Sequence, residues 1–169
     1  MQPELGLLVD VARGAIARHL EQPGPVAKPL PDSLSESRGV FITLRQADGS
    51  LRGCMGHIRP ILPTLQEEVA ACAVAAASRD PRFSPVAAEE LSSLNIEISI
   101  LEPPEPIASK AELDPNQFGV IIRAGSKTGL LLPNLDGVDT VDYQLSIAMR
   151  KGGIAPSEDY TLERFRVLK

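Results

Sequence analysis

Residues 39–60 read GVFITLRQADGSLRGCMGHIRP, and their pattern decides the fold. GVFITL (39–44) is rich in β-branched and aromatic residues and reads as a strand. Ala47-Asp48-Gly49 supplies turn chemistry, and SLRGCMGHI (50–58) returns as a second strand. Pro60 and Pro63 end the hairpin. Thr64 then stands three residues before Glu67, the signature of a capping box at a helix start. The helix it opens carries Leu65, Val69, Cys72, Ala73 and Ala76 on one face, which makes Cys72 a core residue. RDPRFSP (79–85) is a sharp turn, and NIEISIL (95–101) alternates as a strand before the stiff connector EPPEP.

The order recurs. GVIIRA (119–124), the turn Gly125-Ser126-Lys127 and TGLLLP (128–133) form a second hairpin. Asp139 or Thr140 starts a helix with Val141, Leu145, Ala148 and Met149 inward, and YTLERFRVL (160–168) alternates as a last strand. Hairpin, proline, helix, strand therefore occurs twice, and Gly39-Val40-x-Ile42 matches Gly119-Val120-x-Ile122 by letter. Ahead of both, Leu5, Leu8, Ala12, Ala15, Ile16 and Leu20 recur at helical spacing. Residues 21–37, with four prolines, form a loop. The expectation is an α+β fold over residues 1–169, with related halves at about 38–107 and 118–168 and an N-terminal helix at about 3–20.

A chain of 169 residues that is 43% hydrophobic buries a substantial core, built from aliphatic side chains because aromatics are 4% and Trp is absent. The net charge of −5 argues against a nucleic-acid partner. No apolar run reaches the roughly 20 residues of a membrane span. The N-terminus lacks a basic leader region, and two cysteines make no disulfide framework. A soluble protein of the cytoplasm is expected.

Four blocks, in order, resemble one family: RGVFITL…DGSLRGCMGHIRP (38–60), SRDPRFSPV…EELSSLNIEISILEPPEPI (78–107), FGVIIRAGSKTGLLLP (118–133), and DTVDYQLSIAMRKGGI with YTLERFRV (139–167). This is similar to the AMMECR domain family, called AmmeMemoRadiSam system protein A in its bacterial and archaeal form. LRGC-x-G is the specific motif, reinforced by DPRF and GL-x-LP. Met55 stands where the family usually has Ile, a volume-conserving exchange. The resemblance implies an α+β fold of two related halves. It also implies genomic company with Memo-type proteins and radical S-adenosylmethionine enzymes, which are the expected partners, and it supplies no reaction.

Two readings of the LRGCMGH stretch stand side by side. In the first, Cys54 is a nucleophile, Arg52 on the same strand face favours its thiolate, and His57 is the acid/base. Strict alternation points His57 to the other face, so that role requires a bulge, for which Gly56 is the natural place. In the second, Cys54 is a small buried hydrophobe and the glycines let another backbone pass close. Arg38, Arg79 and Arg82 fall at turns near the hairpin and are the candidates for holding a small anionic ligand. Against that, Asp80 braces its own turn by pairing with one of its flanking arginines, Arg79 by preference. Ser126-Lys127-Thr128-Gly129 resembles a phosphate loop only superficially, since it joins two strands. Cys54 and His57 make at most half a zinc site, with Cys72 and His19 the remaining soft side chains and no spacing that nominates carboxylates. No metal and no cofactor is assigned. The function divides accordingly between a partner protein of the Memo-type and radical S-adenosylmethionine system and a small enzyme using Cys54 on an anionic substrate.

Overall fold

The computed structural model describes residues 3–169, which separate into two compact units, one up to residue 100 with residue 169 and one of residues 101–168. The first unit opens with helix α1 (Pro3–His19) and continues into strands β1 (Val40–Arg45) and β2 (Leu51–His57), helix α2 (Leu65–Ser78) and strand β3 (Asn95–Leu101). The strands order β2-β1-β3, both pairs antiparallel. Gly49, at φ +87°, makes the turn between β1 and β2, where Asp48 accepts hydrogen bonds from the Ser50 amide and hydroxyl. Val40, Ile42 and Leu44 alternate inward on β1 and are essentially solvent-free. Helix α2 packs on β1 and buries Leu65, Val69, Cys72, Ala73 and Ala76, the face read from the sequence.

The capping box forms as expected: the Glu67 amide donates to Thr64 Oγ1 at 3.2 Å and the Thr64 amide to Glu67 Oε2 at 3.1 Å. Helix α1 packs on α2 and buries Leu8, Ala12, Ala15 and Ile16. Arg13 of α1 donates to the carbonyls of Leu91 and Leu94, tying the helix to the 3-10 turn at Ala88–Ser93.

The second unit holds β4 (Glu105–Ile107), β5 (Gly119–Ala124), β6 (Lys127–Leu131), helix α3 (Val141–Gly152), β7 (Thr161–Phe165) and β8 (Val167–Leu168). Its sheet runs β4-β7-β5-β6. Within it, β6-β5-β7 repeats the β2-β1-β3 order of the first unit, with α3 between β6 and β7 in the chain as α2 is between β2 and β3. Val120, Ile122, Leu131, Leu145 and Ala148 form its core.

Two local readings need correction. The connector EPPEP contributes the edge strand β4, since Pro106 has no amide to donate and an edge tolerates that. The last strand breaks at Arg166, whose carbonyl accepts from the Glu102 amide. Among the described residues, no helix is long and apolar enough to cross a membrane.

Candidate functional site

Strand β2 lies at the edge of its sheet, so alternate backbone amides point away from β1 and need partners. Cys54 is one such residue. Its amide donates to Oδ2 of the buried Asp80 at 3.0 Å. Asp80 Oδ1 accepts from both the backbone amide and Nε of Arg82, each at 3.0 Å, and Oδ2 accepts from Arg82 Nη2 at 2.7 Å. The Arg82 hydrogen bonds hold the Asp80 carboxyl well below the usual carboxylate range, against the opposing effect of burial. DPRF is thus a cap on the sheet edge.

Asp80 pairs with Arg82, not with Arg79. An aspartate accepting the amide two residues on draws that residue's side chain alongside. Arg79 instead ends α2, its amide donating to the Ala75 carbonyl.

Arg52 is buried and braced. Nε and Nη2 donate to the two Glu90 oxygens at 2.8 and 3.1 Å, Nη1 to the Ser84 carbonyl at 2.8 Å, and Nη2 also to the Pro85 carbonyl at 3.4 Å. These contacts come from the pairing register. It runs unbroken from Val40–His57 to Leu44–Gly53 and then slips, Arg45 facing Leu51, so the extra residue is Arg52. The irregularity sits there rather than at Gly56, and it aims Arg52 at Glu90. The Arg52 guanidinium in turn lowers the Glu90 pKa, through its hydrogen bonds first.

The Cys54 side chain is partly exposed, and Sγ lies 3.5 Å from Thr43 Oγ1 on the opposing strand residue. Arg82 is close enough to interact with it electrostatically. Arg38 makes a long ion pair, 3.8 Å, with Glu36. Of the three proposed anion holders, the structure brings Arg82 to Cys54.

His57 keeps the alternation and faces α2. Its Nδ1 lies 3.3 Å from Oε2 of Glu68 and 3.6 Å from Sγ of Cys72. Glu68 is 1% exposed; its Oε1 accepts the amides of Ile61 and, at 3.0 Å, Leu62. Burial, then the charge of Glu68, pushes the Cys72 thiol up to about 11. Three different ligating atoms therefore lie together beneath the half-exposed His57. Glu68 escaped sequence reading because a glutamate in a first helical turn looks like a dipole partner. The available signal was its spacing of four from Cys72 on the buried helix face.

Fold and site together define an α+β protein of twice-repeated hairpin-helix-strand architecture, with an arginine-clamped LRGC strand at the edge of the first sheet. The AMMECR1 family model matches residues 9–169, and the chain belongs to that family. It is 45% identical over 153 residues to a protein of Thermotoga maritima, spanning 85% of this chain and 88% of that one. It is 38% identical over 167 residues to a protein of Methanothermobacter thermautotrophicus, covering 92% and 85% of the two chains. The crystal structure of the uncharacterized protein PH0010 from Pyrococcus horikoshii is similar with a TM-score of 0.83 at 34% identity, covering 95% of this chain and 87% of that chain.

Proposed function

We propose that the chain is a partner protein of a Memo-type and radical S-adenosylmethionine enzyme system, docking through the surface that follows LRGCMGH. The observation that carries this reading is the distribution of hydrogen bonds around Cys54. Arg52 is taken up by Glu90, Ser84 and Pro85, Asp80 by Arg82, and His57 faces Glu68 and Cys72. The side chains expected to activate the thiol are thus engaged with other partners.

The same architecture presents a rigid apolar anchor. Ile61 is 70% exposed, yet its amide and that of Leu62 are held by buried Glu68. An exposed aliphatic side chain on a fixed backbone loses little freedom on binding, which suits a docking contact. Mixing the purified chain with the Memo-type protein and the radical enzyme of its own genome tests the reading. Stoichiometric co-elution with either supports it, and separate elution of all three at tens of micromolar sinks it.

A second reading keeps Cys54 as a nucleophile on an anionic substrate, favoured by its partial exposure beside Thr43 and Arg82. It requires native Cys54 to be alkylated at pH 7 while Cys72 stays protected. Mass spectrometry showing both protected until unfolding removes it.

A further inference from the structure

We propose that His57 Nδ1, Glu68 Oε2 and Cys72 Sγ form a three-ligand site for a first-row divalent cation of zinc type, with solvent as the fourth ligand on the exposed side of His57.

Zinc bonds of about 2.05 Å to N, 2.1 Å to O and 2.3 Å to S, at tetrahedral angles, place N and O about 3.4 Å apart and N and S about 3.6 Å apart. The observed separations are 3.3 Å for His57 Nδ1 to Glu68 Oε2 and 3.6 Å for Cys72 Sγ to His57 Nδ1, and all three atoms lie within 4.8 Å of one another. As a charge-assisted hydrogen bond, 3.3 Å is long, since such bonds close to about 2.8 Å.

Glu68 and Cys72 converge on the same ring nitrogen, which offers one proton or one lone pair. A catalytic relay would use both nitrogens of the ring. Convergence of three ligand atoms suits a shared cation.

Glu68 Oε1 accepts two backbone amides, which fixes the carboxylate and leaves Oε2 for the ion, as supporting hydrogen bonds do in metal sites. A thiolate, an imidazole and a carboxylate together suit zinc and its borderline neighbours.

The repeat supplies an internal control. Counting from the helix caps Thr64 and Thr140, Glu68 matches Gln144 and Cys72 matches Ala148. Across the hairpins, His57 pairs with Val40 as Leu131 pairs with Val120. The second unit thus fills the same three positions with Leu131, Gln144 and Ala148, all buried. Hairpin and helix pack there without a ligating atom at the first and third positions, so packing alone does not require His57 and Cys72.

The test is titration of the chelator-treated full chain with Co²⁺, a spectroscopic stand-in for zinc. One ion binds per chain and produces a thiolate-to-cobalt charge-transfer band. Cys72→Ser and Cys72→Ala, the latter copying Ala148, abolish the band and weaken binding by roughly 100-fold or more. Cys54→Ser leaves band and affinity unchanged. Absence of the band from the wild-type chain overturns the proposal. So does a band that survives both Cys72 substitutions or disappears with Cys54→Ser. His57→Ala, changing a half-exposed residue, keeps the fold and weakens Co²⁺ at least 10-fold; unchanged affinity there also overturns the site.

Discussion

Replacing Gly53 by alanine tests whether LRGC is built for close packing. A Cβ at Gly53 falls inside the van der Waals shell of the Ala76 carbonyl oxygen on α2, and 3.2 Å from its carbonyl carbon. Backbone cannot rotate away as a side chain does. Carbon-oxygen approaches of this kind stop near 3.3 Å, so β2 and α2 must part by about 1 Å. That separation is resisted, because α2 also packs on β1 and α1. Overpacking of this sort costs about 1–3 kcal/mol, and contact with backbone places Gly53→Ala near 3. The unfolded-state gain on replacing glycine returns about 0.5 kcal/mol, since φ at Gly53 lies outside the left-handed region. The net loss of about 2.5 kcal/mol lowers the melting temperature by roughly 5–10 °C for a chain of this size. Thermal and urea unfolding followed by circular dichroism measure it. A variant as stable as wild type would refute the packing argument for the motif.

Three further outcomes follow from the same geometry. Gly6, inside α1 with nothing near its missing Cβ, is replaceable: Gly6→Ala raises stability by about 0.5–1 kcal/mol in urea unfolding. Arg52→Lys loses the two-pronged Glu90 contact and lowers stability by about 1–2 kcal/mol, because an ammonium does not reproduce the fork. Asp80 has a lowered folded-state pKa, so its ionised form stabilises the fold above the ordinary carboxylate pKa of about 3.9, and that contribution fades as pH falls through the lower folded value. The stability gap between wild type and Asp80→Asn is therefore widest at pH 5–7 and narrows toward pH 2; a gap that widens on acidification contradicts the assignment.

Local signals carried most of the fold to the reader of the sequence. Thr64 and Glu67 are three residues apart and cap the helix they announce, and NIEISIL alternates because one side of β3 is buried. The repeat was legible as an order of elements, and the two units reproduce it as a strand order. What stayed hidden depends on partners distant in the chain. β4 exists because Glu105–Ile107 pairs with Leu162–Arg164 more than fifty residues on, which a run of prolines does not advertise. Arg52 and Cys54 look alike along a strand, but the slip in register opposite Arg45 hands Arg52 to Glu90 and leaves Cys54 beside Thr43. The alternation that sends His57 away from Cys54 was visible. Its destination was not, since Glu68 and Cys72 reach it only once α2 lies against the hairpin.

Docking through Ile61 is tested most directly by calorimetric titration of the Memo-type protein into wild-type chain, Ile61→Asp and Cys54→Ser. A buried aliphatic anchor replaced by a carboxylate loses about 2 kcal/mol or more, roughly 30-fold in affinity. That loss is expected for Ile61→Asp, with wild-type binding for Cys54→Ser. Undiminished binding by Ile61→Asp, or its loss in Cys54→Ser, would contradict docking through Ile61.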